Sequence, residues 1–140
     1  MNQRYLDPTN DIAFKKLFNN KERLIDLLNN ILNLPKGSRI INITYIPVEQ
    51  MPLFLDGTRS IFDLKVMDET DRWYIIEMER RTNRDYIKRV QFYGGYSYVN
   101  QLEAGIAHRD LLPVVVISIL GNQIFPAELP CINYHSFKES

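Results

Sequence analysis

The stretch FDLKVMDETDRWYIIEMERR, residues 62–81, places three carboxylates inside two apolar runs. Asp63 lies in the first run, and Glu77 and Glu79 lie in the second, after a short polar turn. Grouped carboxylates can bind a hard divalent cation or move protons during hydrolysis. The composition of both runs and the polar turn between them predict two antiparallel strands, and this hairpin must hold the acidic side chains together.

The turn DETDR predicts the register of the hairpin, with strands over residues 60–67 and 73–79. If the residues that flank the turn pair with each other, Asp63 lies opposite Glu77 on one face, with Cβ atoms about 5 Å apart. Two like charges in this position destabilise a sheet unless a cation lies between them. Because no His or Cys is near, the oxygen ligands favour Mg²⁺ or Mn²⁺.

Two further residues share this face of the predicted hairpin. Glu79 follows Glu77 by two residues, so the alternation of a strand keeps both on one side, where Glu79 can add an oxygen ligand. Lys65 lies diagonal to Glu77 and can hold a phosphate or orient a water molecule. The same residues also fit a second interpretation, in which this face is the solvated side of an amphipathic hairpin and Lys65 neutralises Glu77.

A basic cluster follows the second strand within ten residues and consists of Arg80, Arg81, Arg84, Lys88 and Arg89. Arg80, Arg84 and Lys88 share one helical spacing if the next helix begins early. Arg89 and Tyr93 stand one turn apart and can jointly face the carboxylates. Basic residues beside an acidic metal site suit a polyanionic substrate, since arginines hold the phosphates around the one that reacts. The alternative is a solvated helix face with ion pairs.

The remaining segments predict the elements that carry the hairpin. They are a first helix that breaks near Asn19 and Asn20, a strand over residues 39–48, a second helix over about 84–104 and a strand in LLPVVVISIL. The last run is β-branched and apolar on both faces, which is typical of a strand in the buried middle of a sheet. The order is helix, three strands, helix, strand, and it predicts an α/β sandwich with a mixed sheet.

Composition limits the classes of protein. The 140 residues, 45% hydrophobic and 24% charged, suit one globular domain over residues 1–140. Lys plus Arg and Asp plus Glu both number 17, so net charge neither predicts nor excludes a nucleic-acid partner. One cysteine and two histidines give neither an internal disulfide nor a zinc site.

The sequence shows no signal peptide and no apolar run long enough to span a bilayer, so we expect no membrane association and a cytoplasmic location. The ending CINYHSFKES stops in mid-pattern, which leads us to expect a domain shortened at its C-terminus.

Several sequence blocks resemble the recombination-promoting nuclease/putative transposase group of the PD-(D/E)XK nuclease superfamily. They are DPTNDIAFKKLF, LIDLLNNIL, FDLKVMDETDRWYIIEME, KRVQFYGGYSYVNQLEAG and LLPVVVISIL, in the expected order over roughly residues 7–126. The resemblance implies a restriction-endonuclease-like three-layer sandwich and Mg²⁺-dependent hydrolysis of DNA. It also implies that Asp63 and Glu77 bind the ion and that Asp11, on the first helix, completes the metal shell.

One position departs from the family pattern. The third motif position is Lys in the superfamily and Gln in this group, but it is Glu79 here. A carboxylate adds negative charge where the phosphate approaches, although it can bind a second ion. Lys65 is then the candidate for the missing positive charge.

Three hypotheses follow. The first is a metal-dependent DNA endonuclease in which Asp63, Glu77, Glu79 and Lys65 act. A homodimer would suit it, because a double-strand break takes two such sites. The second is a catalytically silent domain of the same fold that binds DNA or associates with itself. The third is an unrelated α/β interaction domain whose carboxylates face solvent.

Overall fold

The computed structural model describes residues 7–47, 63–103 and 105–136, which form helices on both sides of a mixed sheet. The elements are α1 Asp11–Phe18, α2 Lys21–Ile31, β1 Ile43–Tyr45, β2 Leu64–Asp68, β3 Trp73–Glu79, α3 Tyr86–Glu103 and β4 Val114–Leu120. Their order is the predicted one. Within these ranges no helix combines the length and the apolar character that crossing a membrane requires.

The first helical segment is divided in two, as predicted, because an asparagine caps the start of each half. The side chain of Asn10 accepts hydrogen bonds from the N–H groups of Ile12 and Ala13. The side chain of Asn20 accepts one from the N–H of Arg23 at 3.0 Å. Such caps bind N–H groups that have no partner inside a helix, so each asparagine favours a new helix start.

The sheet has the order β1-β2-β3-β4, with β1–β2 and β2–β3 antiparallel and β3–β4 parallel. Helix α3 connects the two parallel strands and covers one face, where Tyr93 packs with Ile75. Helices α1 and α2 cover the other face. The core there comprises Phe14, Leu24, Leu28, Ile40, Ile43, Leu64, Val66, Tyr74 and Ile76. The predicted three-layer α/β sandwich is therefore confirmed.

Strand β4 lies at the outer edge of the described sheet, so the prediction that it occupies the middle was wrong. The central, most buried strand is β3, and most β4 residues are only half-buried. The apolar character of β4 has another cause, because its side chains pack alternately into both layers. Those that pack with α3 are Val114 and Val116, and those on the opposite face are Val115, Ile117 and Ile119.

Strand β1 is shorter than predicted because side chains bind the backbone that precedes it. The amide of Asn29 accepts the N–H of Ile40 at 2.9 Å and donates to its carbonyl at 2.8 Å. The carboxylate of Glu69 accepts the N–H groups of the next two residues. Since these backbone groups already have partners, strand pairing begins only at Ile43.

The hairpin turn is built around the buried carboxylate of Asp68. One oxygen accepts the N–H and the hydroxyl of Thr70, both at 2.7 Å, and the N–H of Arg72. The other accepts the hydroxyl of Tyr74 at 2.8 Å. Burial by itself raises the pKa of Asp68, but these hydrogen bonds outweigh it and lower the pKa below its ordinary value.

We expect Asp68→Asn to lower the free energy of unfolding by about 2 kcal/mol near pH 7, because hydrogen bonds to a charged acceptor are lost. Since folding lowers the pKa of Asp68, this stabilisation is present above the ordinary carboxyl pKa and disappears as the pH falls through the folded value. Urea unfolding at neutral pH and at successively lower pH measures both effects, and the difference between the two proteins should shrink as the pH falls.

The control is Asp71→Asn, which removes the same charge from an exposed residue of the same turn. Asp71 has a φ of 64°, a conformation that asparagine also tolerates. If both substitutions destabilised the protein equally, the Asp68 network would not be the cause.

Candidate active site

The three carboxylates lie at the end of the sheet where β3 ends. The hairpin has the predicted register, in which Met67 pairs with Trp73 and the pairing continues to the first residue of β2. Asp63 directly precedes β2, and its carboxylate accepts the backbone N–H of Met78. The local geometry of the hairpin thus holds Asp63 beside residues 77–79.

The carboxyl of Asp63 lies beside that of a second acidic residue, Asp11, in the first turn of α1. Burial raises the pKa of Asp63 to about 6, and the neighbouring Asp11 carboxyl adds to this, while the Met78 N–H and Lys15 oppose it. A hydrogen bond between the two carboxyls lowers the pKa of Asp11. The ammonium of Lys15 lies 3.2 Å from Asp11 and 3.7 Å from Asp63. The two carboxyl groups are therefore joined by a hydrogen bond and lie against the same lysine.

Arg89, a residue of α3, forms ion pairs with both Glu77 and Glu79. Its Nη2 lies 2.6 Å from Oε2 of Glu79 and 3.4 Å from Oε1 of Glu77. The side chain of Glu77 is only 10% exposed. Burial raises the pKa of Glu77, Arg89 opposes this, and the charges of Glu79 and Asp63 add to it. The second carboxylate oxygen of Glu77 is buried and accepts no hydrogen bond from the described residues.

Sequence reasoning missed two residues of this site, Tyr86 and Lys15. The Arg89 guanidinium lies over the ring of Tyr86, 5.3 Å from its centroid. Tyr86 is buried, and burial raises the pKa of its hydroxyl to about 12. The available signal was helical spacing, because Tyr86 precedes Arg89 by three residues and Lys15 follows Asp11 by four.

Two predicted site residues do not occupy the positions that their expected roles require. The ammonium of Lys65 sits 4.0 Å from the ring centroid of Trp73. Lys65 pairs with Ile75, so Trp73 and Glu77 lie on opposite sides of it along β3. Among the described contacts, Arg89 and not Lys65 neutralises Glu77. Tyr93 is 4% exposed and packs in the core, whereas its expected contact with DNA requires a surface position.

The remaining basic residues are exposed, but they do not share one helix face as predicted. Helix α3 begins only at Tyr86, because Asn83 forms a turn in which its carbonyl accepts the N–H of Tyr86 at 3.2 Å. Arg80 and Arg84 therefore lie before the helix and Lys88 lies on it. The four remaining basic residues are all exposed and follow the end of β3 within ten residues: Arg80, Arg81, Arg84 and Lys88.

The residues present fit a hard cation by their chemistry. Asp63 and Glu77 supply carboxylate oxygens, and the Glu77 oxygen that has no partner in the described part of the chain is a buried acceptor that a cation would satisfy. In the described parts of the chain, however, no three His, Cys, Asp or Glu side chains already form a cluster that could hold a metal. Lys15 and Arg89 contact the carboxylates instead.

The structure has a mixed sheet between helical layers, and its acidic residues lie at the end of the β2–β3 hairpin opposite the turn. This arrangement defines a restriction-endonuclease-like fold. The family model of the PD-(D/E)XK nuclease family transposases matches residues 8–137, and the chain belongs to this family. The family predicted from the sequence blocks is thus confirmed. A search of curated proteins and a search of solved structures each found no match.

Proposed function

We propose that this protein is a metal-dependent DNA endonuclease that hydrolyses phosphodiester bonds. The observation that carries the proposal is the buried carboxylate of Glu77, one oxygen of which has no partner among the described residues and lies near the charge of Asp63. A buried acceptor of this kind is costly in a purely structural role. A divalent cation would satisfy it, and membership of a nuclease family supports DNA as the substrate.

Each acidic residue has a role in this proposal. Asp63 and Glu77 would hold Mg²⁺ or Mn²⁺. Asp11 would either bind the ion through a carboxylate oxygen or accept a hydrogen bond from protonated Asp63. When bound, such an ion lowers the pKa of the attacking water and neutralises charge on the phosphate. The hydrogen bond from Met78 orients the Asp63 carboxylate, and the packing of β3 between β2 and β4 keeps Glu77 in place.

The exposed basic residues would hold DNA beside the carboxylates. Arg80, Arg81 and Arg84 follow β3 directly, and Lys88 lies on the first turn of α3. Side chains of this type bind phosphates without reading sequence, so they would position the duplex and not select a target. Cleavage of both strands would need two active sites, which favours a homodimer, and a DNA substrate agrees with the expected cytoplasmic location.

The test is Mg²⁺-dependent nicking of supercoiled plasmid by the purified protein. Nicking should require Mg²⁺ or Mn²⁺, stop when a chelator is added and disappear in Asp63→Asn. Equal nicking by both proteins would identify a contaminating nuclease and refute the proposal.

Replacing Arg81 and Arg84 together by Ala should weaken duplex DNA binding about tenfold or more and lower the slope of log affinity against log salt by about 2, because two phosphate contacts are lost. Fluorescence anisotropy with a labelled duplex in the presence of Ca²⁺ measures both quantities. The matched control is Arg109→Ala, since Arg109 is 87% exposed and precedes the opposite end of β4. An equal loss in the control would place the DNA elsewhere.

A second candidate function is a silent DNA-binding or self-association module. The observation that favours it is the short ion pair between Glu79 and Arg89. Glu79 occupies the motif position where the superfamily has Lys, and its charge is already neutralised. This candidate predicts salt-sensitive binding to duplex DNA without cleavage in any divalent cation. Tight Mn²⁺ binding that Glu77→Gln abolishes would count against it.

A further inference from the structure

Glu79 occupies the motif position at which this chain departs from the family pattern, and its carboxylate forms an ion pair. Glu79 is paired with Arg89 at 2.6 Å, the shortest ion pair among the described residues. The same nitrogen of Arg89 also contacts Glu77, the residue proposed to bind the divalent ion. A single guanidinium nitrogen is therefore shared between two carboxylates, and the contact with Glu77, at 3.4 Å, is the longer one.

The environment of Arg89 keeps it at this position. Its side chain is 35% exposed and its guanidinium lies over the ring of Tyr86. Its Nε is buried and has no hydrogen-bond partner within the described ranges. A cation between an aromatic face and two carboxylates is well stabilised. The open side leaves the guanidinium accessible to a ligand that approaches from solvent.

Other cations near the cluster do not match this arrangement. The ammonium of Lys65 lies over Trp73. Lys15 contacts the other half of the cluster, Asp11 and Asp63, and its side chain is more exposed than that of Arg89.

We propose that Arg89 is the resident cation of the acidic site: it neutralises Glu77 and Glu79 in the metal-free protein and competes with the divalent ion for Glu77. Ion binding breaks the longer contact with Glu77, while the shorter contact with Glu79 keeps the guanidinium beside the site. There it donates hydrogen bonds to the phosphate and supplies the positive charge that Lys supplies in the family motif. This inference rests on the proposed nuclease function.

The test compares wild-type protein with Arg89→Gln, using Mn²⁺ alone as the ligand in calorimetry and plasmid nicking as a second measurement. Loss of the competing charge should tighten Mn²⁺ binding about tenfold. Loss of the phosphate contact should slow nicking about 100-fold. A merely structural role predicts that both properties worsen together, so the opposite signs identify a competing cation. Arg109→Gln, at the other end of the sheet, should change neither.

Unchanged or weaker Mn²⁺ binding by Arg89→Gln would overturn the inference, and so would an absence of Mn²⁺ binding in both proteins. If Arg89→Gln does not fold, a second charge-removing variant decides the question. This variant is Arg89→Met, which removes the charge but keeps an unbranched apolar stem, so Mn²⁺ affinity should rise about tenfold, and unchanged or weaker binding would refute competition. If wild-type protein binds Mn²⁺ but never cuts DNA, the nuclease function fails, while tighter binding by Arg89→Gln would still support competition at Glu77.

Discussion

Asp63→Asn should reduce Mg²⁺-dependent nicking of plasmid DNA at least about 1000-fold, because the substitution removes a negatively charged ligand from the proposed metal site. Glu77→Gln should have an effect of the same size. Both substitutions keep the shape of the side chain and one acceptor oxygen, so the Met78 N–H retains its partner. Single-turnover nicking rates at several Mg²⁺ concentrations would separate weaker ion binding from slower hydrolysis.

The stability of Asp63→Asn provides a second and independent measurement. Folding raises the pKa of Asp63 to about 6, so the folded state prefers the protonated carboxyl, and the metal-free protein loses stability as the pH rises through this value. Asparagine resembles the protonated form. We therefore expect the metal-free variant to unfold near pH 7 at a temperature no lower than the wild type.

A matched control for this pair of measurements is Asp71→Asn, an exposed carboxylate at the far end of the hairpin. It should nick DNA at the wild-type rate. If Asp63→Asn lost activity only because it lost its fold, circular dichroism would show this, and the assignment of Asp63 as a ligand would have no support.

Gly121→Ala should destabilise the protein by about 2–3 kcal/mol and also impair nicking. A Cβ at position 121 would lie 2.6 Å from the carbonyl oxygen of Arg80. This oxygen belongs to the backbone, so it cannot rotate away as a side chain could. The N–H of Gly121 donates to the carbonyl of Glu79 at 2.9 Å, so displacement of this segment would move the end of β3. Denaturant unfolding and nicking measure the two effects.

Gly95→Ala is the matched control, because a Cβ there meets no atom within 4 Å. Gly95 lies inside α3, where alanine favours the helix more than glycine does. We expect a gain of about 0.5–1 kcal/mol and no change in nicking. If Gly121→Ala behaved like Gly95→Ala, the close approach of the two backbones would not constrain the site.

The parts of the fold that depend on local contacts could be predicted from the sequence. The length of the turn determined the hairpin register, and so placed Asp63 near residues 77–79. The pair Asn19 and Asn20 predicted the division of the first helical segment, and Asn20 caps the second half. In both cases residues within a few positions of one another decide the structure, and their chemistry is visible in a short stretch of sequence.

Contacts between distant segments could not be predicted in the same way. The position of β4 at the sheet edge depends on the path of the crossover, and an apolar run does not reveal it. The short β1 results from Asn29 and Glu69, which bind its backbone from other elements. The choice of Arg89 over Lys65 as the partner of Glu77 depends on where α3 lies over the sheet.

The hairpin that carries Asp63 and Glu77 closes over a five-residue turn, whereas Arg89 contacts them only when α3 has packed over the sheet. Contacts between near neighbours in sequence form quickly, and those that need a crossover form later. We therefore expect the acidic pair to come together in folding before Arg89 is in place, with repulsion keeping that end of the sheet hydrated until α3 packs. In the folded protein we expect amide protons at the end of β3 to exchange with solvent earlier than those near Trp73, so the proposed active site would lie in the part of the strand that opens more often.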